Sequence, residues 1–154
     1  MNLRSMRGLS LVIICCVLAG CVTHRQGQQM LPDMYQSEFY VERQPRDGRN
    51  LQEIVANILR DRGFNVSHGE QGQAPENADY IVSYIDMWNW DMRMYLMSLR
   101  IEVRDRSTNH IVAYGESRQS SFAAMGKSHD DIINTALDEM ISRGGITSPQ
   151  QPSE

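Results

Sequence analysis

Tyr95-Leu96-Met97-Ser98-Leu99-Arg100-Ile101-Glu102-Val103-Arg104 is the stretch whose reading decides the fold. Successive side chains of a strand point to opposite faces, so strict alternation puts Tyr95, Met97, Leu99, Ile101 and Val103 on one apolar face. Ser98, Arg100, Glu102 and Arg104 then share the other, polar face. A strand that is apolar on one side only belongs to an antiparallel sheet with one wet face and one covered face. The pattern predicts a strand over 90–104. Before it, residues 79–87 are rich in Tyr, Ile and Val; after it, Arg106-Ser107-Thr108-Asn109 turns the chain and 111–117 returns. The three segments form a meander that is polar on one side.

The cover comes from two amphipathic helices. Asn50 is the predicted N-cap of the first, with Glu53 completing a capping-box spacing. Leu51, Ile54, Val55, Ile58 and Leu59 recur at helical spacing, and Gly63 supplies the left-handed stop. In the second, Ser128 and Asp131 form the box, and Ile132, Ile133, Ala136, Leu137, Met140 and Ile141 form the buried stripe before Gly144-Gly145. Short strands are expected at 38–42 and 64–66, with a loop over 68–75. The predicted fold is α+β, a two-layer sandwich of an antiparallel meander sheet with two helices packed on one face. It occupies 37–145 as one domain, behind a polar, aperiodic stretch at 21–36 read as a flexible tether. Residues 146–154 are rich in Ser, Pro and Gln and read as a disordered tail.

The N-terminus carries a different signal. A basic start (Arg4, Arg7) precedes an uncharged run from Leu9 to Leu18, and Leu18-Ala19-Gly20-Cys21 closes it. This is the layout of an export signal; a spanning helix needs about 20 apolar residues, and the run is too short. The four residues resemble the lipobox of bacterial lipoproteins. The resemblance implies cleavage between Gly20 and Cys21, acylation of Cys21, and a signal peptide covering 1–20. A protein so processed is anchored to a membrane through covalent lipid on Cys21. Val22 stands where the family's inner-membrane retention signal places Asp, which favours the outer membrane, periplasmic side.

Processing changes the composition. Of the 154 residues, 134 remain, and with Arg4 and Arg7 gone the 15 basic residues become 13 against 19 acidic. That acidic balance disfavours nucleic acid as a partner. Cys15 and Cys16 leave with the signal and Cys21 is used by lipid, so no thiol is left for a disulfide, a nucleophile or a thiolate metal site. No cofactor or metal is expected. His24, His68, His110 and His129 do not cluster, and no nucleophile elbow, zinc-protease helix or phosphate-binding glycine loop occurs. Gly115-Glu116-Ser117 reads as ordinary edge chemistry. A carboxylate pair from Asp86 and Asp91 across a Trp88-Asn89-Trp90 turn, with Glu116, is the one hydrolytic arrangement available.

The segment that stands out is 87–97, Met-Trp-Asn-Trp-Asp-Met-Arg-Met-Tyr-Leu-Met, which holds both tryptophans. Met92, Met94 and Leu96 occupy the face that turns polar at Ser98, so this part of the strand is apolar on both sides. Two readings stay open. Either the tether or first strand folds over the patch, or Trp88, Trp90, Asp91, Met92, Met94 and Tyr95 form an open docking surface for a protein of the envelope. Residues 78–142, with Ala78-Asp79-Tyr80-Ile81-Val82-Ser83-Tyr84 and Trp88-x-Trp90-Asp91-x-x-x-Tyr95, resemble a family of small uncharacterised envelope lipoproteins. The resemblance carries no enzymatic activity with it. The expected function is that of a non-enzymatic, lipid-anchored envelope protein with an interaction or accessory role. The alternative is a periplasmic binding module that stacks a glycan or lipid on Trp88, Trp90 and Tyr95.

Overall fold

A computed structural model describes residues 24–28, 30, 32–91 and 93–141. Cys21, Gly20 and Met92 therefore lie outside the described residues. In chain order the elements are β1 (His24–Gln28), a 3-10 turn (Pro32–Gln36), β2 (Glu38–Arg43), α1 (Leu51–Asp61) and β3 (Asn65–Glu70). They continue with β4 (Tyr80–Asp91), β5 (Arg93–Asp105), β6 (Ile111–Arg118), α2 (Ser121–Met125) and α3 (His129–Ile141). The fold is the expected α+β sandwich, with α1 and α3 on one face of a six-stranded sheet ordered β1-β6-β5-β4-β2-β3.

The meander β4-β5-β6 is antiparallel as its alternation and turns require. The sheet as a whole is mixed, because β2 lies parallel to both β3 and β4. Crossing over through α1 returns β3 parallel to β2, and the 71–79 connection then carries the chain past β2 to start β4 in the same direction. The segment expected to be a tether is also different. Residues 24–28 are an edge strand on β6, and beyond them Met30 and Met34 are buried. His24–Gln28 is polar and aperiodic, so its pairing is dictated by the open edge of β6 and not by any pattern of its own.

The core lies between the sheet and the two helices. Phe39, Val41, Val82, Tyr84, Leu99, Ile101 and Val103 meet Leu51, Val55 and Leu59 of α1 and the whole predicted stripe of α3. Ile54 and Ile58 are only half-buried at the margin. The capping box of α3 forms as read: Ser128 N–H donates to Asp131 Oδ2 and Asp131 N–H to Ser128 Oγ, each at 3.1 Å. At α1 the cap is not Asn50, which sits at φ 57° and makes no side-chain capping bond. Asp47 takes its place, accepting from Arg49 N–H and Leu51 N–H at 2.7 Å each. It also accepts the Tyr84 hydroxyl at 2.6 Å, which ties α1 to the middle of β4.

Two glycines let α3 approach the sheet. Gly27 of β1 and Gly115 of β6 are cross-strand partners. A Cβ on Gly115 would lie 1.9 Å from the Ala136 carbonyl oxygen, and one on Gly27 2.7 Å from that of Glu139. Gly115 is thus the floor under α3, not edge chemistry.

Candidate functional site

The site region is the far end of the β4–β5 hairpin. Trp88-Asn89-Trp90 is not a turn: the strand continues to Asp91, and pairing runs on to Asp91 opposite Arg93. One irregularity governs where the side chains go. Met87 pairs with Ser98 but Trp88 pairs with Leu96, so Met97 is an extra residue, a β-bulge in β5. The bulge inverts the alternation. Leu99, Ile101 and Val103 face the helices as predicted, but past Met97 it is Leu96 that enters the core, and Tyr95 turns to the open face.

This sorts the predicted residues. Trp88 faces the helices, half-buried, with the Arg49 guanidinium 4.1 Å above its ring and His129 edge-on at 4.8 Å. Its indole N–H donates to Asp86. Tyr95 lies on the opposite face, only 4% exposed, and its hydroxyl accepts from Asn89 Nδ2 at 3.3 Å. Trp90 and Met94 pair across the hairpin and remain open, 66% and 40% exposed. Asp91 ends β4, and of its side chain nothing further is described. Trp88, Trp90 and Tyr95 therefore make no common stacking surface. The patch is split: Trp88, Tyr95 and Leu96 are covered, whereas Met87, Trp90 and Met94 are not.

The sequence reading missed two further open apolar residues, Ile85 and Phe122. Ile85 was legible, since it stands at the same parity as Met87 on the polar face of β4. Phe122 lies on α2, a short helix capped by Ser120 that carries no periodic signal. A backbone feature adds to them. β2 pairs with β4 only through Val82, so among the described residues β4 has no strand neighbour on that side from Ser83 onward. The 44–46 loop runs beside Tyr84–Asp86, leaving a shallow cavity of about 280 Å³ lined by Gln44, Pro45, Arg46, Tyr84, Ile85 and Asp86.

The rest of the open face is polar and internally paired. Glu102, 7% exposed, receives Arg100 Nε at 2.8 Å and Arg104 Nη2 at 2.6 Å. Glu116 pairs with Arg118 at 3.3 Å and Arg100 at 3.7 Å, and Arg100 stacks 4.4 Å above Tyr114. Asp86 and Glu116 project from opposite faces of the sheet, so the hydrolytic arrangement does not assemble. Among the described residues no group of three or more His, Cys, Asp or Glu could hold a metal ion, and no helix is long and apolar enough to cross a membrane.

No family model matches the chain, and no curated protein matches it. Among solved structures the fold is similar to the PelC dodecamer from Paraburkholderia phytofirmans, with a TM-score of 0.55 at 19% identity over 78% of this chain and 98% of that one. A point variant of the same dodecamer gives 0.57 at 16% identity, over 84% and 100% of the two chains. At such identities the likeness is one of fold.

Proposed function

We propose that the protein is a lipid-anchored envelope protein that works by assembling with protein chains at the outer membrane, and not by catalysis. The anchor rests on Leu18-Ala19-Gly20-Cys21 with Val22 after it. The observation that carries assembly is the unpaired side of β4, flanked on the open face by Ile85 and Met87, 63% and 47% exposed. A strand edge with free N–H and C=O groups and apolar neighbours is a template for another chain. The described polar groups nearby are engaged with one another, and Trp88 is occupied by Arg49, His129 and Asp86. A chain of similar fold is a dodecamer, so copies of this protein are the first partners to test.

Two measurements check the reading. Cys21→Ser should abolish acylation and leave the protein as precursor or in the soluble fraction; a variant still acylated and membrane-bound would refute the anchor. The purified mature protein should give a multimeric mass by light scattering, and Ile85→Lys with Met87→Lys should reduce it. A wild type that stays monomeric, and that captures no envelope protein by crosslinking from position 87, would refute assembly.

A further inference from the structure

The topology fixes which end of the domain the anchor leaves from. β1 runs antiparallel to β6, and His24, Arg118, Ser98 and Met87 stand in one cross-sheet row. Chain preceding His24 therefore departs toward the end where the β4–β5 hairpin closes. Only Val22 and Thr23 separate Cys21 from His24, which limits the distance between their Cα atoms to about 11 Å at full extension. Three strand spacings separate β1 from β4, roughly 14 Å across the sheet.

Past that row, Trp90, Met94 and Phe122 are exposed apolar side chains, the last of them 80% exposed. Trp90 and Met94 lie beyond the row, toward the hairpin closure. Phe122 follows Arg118 by four residues on α2, and α2 is tied to the hairpin by the Arg93 guanidinium donating to the Met125 carbonyl. Gln119 N–H adds a bond to the Met97 carbonyl at 2.8 Å. The three side chains thus belong to one braced end of the fold, the end at which β1 begins with His24.

Resting on the anchor proposed above, we infer that this end is a membrane-docking surface, in which Trp90, Met94 and Phe122 enter the lipid interface beside the acyl chains of Cys21. Tryptophan prefers the headgroup level, where an apolar ring and a polar N–H are both accommodated. An anchor joined to the fold by two residues leaves the domain no means of standing off the bilayer. Whatever lies at its base must meet lipid. The unpaired side of β4 reaches that base at the hairpin closure, but Ile85 and Met87 lie behind Trp90 along the strand and, with the open sheet face, stay available to protein.

The test uses the acylated mature protein in vesicles of phosphatidylethanolamine and phosphatidylglycerol whose acyl chains are brominated. Trp88→Phe leaves Trp90 as the sole tryptophan, and its emission should fall by about twofold relative to unbrominated vesicles. Trp90→Phe leaves Trp88, shielded by Arg49 and His129, and its emission should not change. Acylated protein that floats with the vesicles while Trp90 stays fully bright would overturn the docking surface and leave the anchor standing. Protein that carries no acyl chain and does not float would instead remove the anchor, and the inference with it. A partner chain covering the hairpin tip would likewise show as an unquenched Trp90, against the inference.

Discussion

Gly115→Ala should be among the most damaging single-methyl changes available to this protein. Its added Cβ would meet a backbone carbonyl, that of Ala136, at 1.9 Å, and the Met140 Cβ at 3.2 Å. A flexible side chain could swing aside, but a helix carbonyl moves only if α3 lifts from the sheet. Overpacking of this kind costs about 3 kcal/mol when a backbone element has to shift. For a domain of this size the loss corresponds to a Tm roughly 10 °C lower. The matched control is Gly48→Ala, at an exposed glycine where a new Cβ meets nothing within 4 Å. There the same change should be neutral or slightly stabilising, since alanine restricts the unfolded chain. Equal melting shifts for the two variants would mean that α3 does not ride on Gly115.

Asp47→Ala should be nearly as costly, by another route. The carboxylate caps α1 through Arg49 and Leu51 and accepts the Tyr84 hydroxyl. Removing it frees the first turn and takes away the acceptor for the buried Tyr84 proton, while the Tyr84 oxygen still accepts from Gln44 N–H at 3.3 Å. A lost cap is worth about 1 kcal/mol and an unsatisfied buried hydroxyl about 1–2 more, giving roughly 2–3 kcal/mol in all. The pair also predicts a pH dependence. Burial pushes the Tyr84 phenol up, reinforced by its bond to Asp47. Burial works against the Asp47 charge, but the bonds from Tyr84 and the backbone of Arg49, Leu51 and Gln52 outweigh it and hold the carboxyl below its ordinary value. A folded pKa below the unfolded one, about 3.9 for Asp, gives stability that is present above that value and lost as pH falls through the folded one. Urea denaturation of wild type and Asp47→Asn should therefore differ most at neutral pH and converge below about pH 4. A gap that stays constant down to pH 3 would remove the carboxylate's charge from the account.

The residues that declared themselves in the sequence are those whose environment is set by period. Leu99, Ile101 and Val103 could be assigned to the core because alternation is unbroken there, and the stripe of α3 because every third or fourth residue is apolar. Alternation fails at Met97, where one extra residue reverses the faces of Tyr95 and Leu96. No local preference marks a bulge of this kind, so Tyr95 was placed on the wrong side. The cap of α1 was misread for a related reason. Asn50 has the right chemistry and position, but its left-handed backbone points the side chain away, and Asp47 reaches in from three residues earlier. Gly115 did carry a usable signal, since a glycine inside a strand often marks close backbone approach. β1 carried none. At the site, exposed Met87, Trp90 and Met94 were legible as an apolar excess, whereas Trp88 is covered by Arg49 and His129, from segments distant in sequence.

That silent first strand has a consequence for the order of events as the chain leaves the ribosome. His24–Gln28 emerges before any other strand, yet its template is β6, which begins at Ile111. Closing so long a loop is entropically late, and pairings between chain ends are the slow steps of folding. Until synthesis has passed Arg118, the opening strand lacks its β6 template. The finished register of β1 on β6 is in effect a check that synthesis has passed β6, one that a product ending before Ile111 cannot pass.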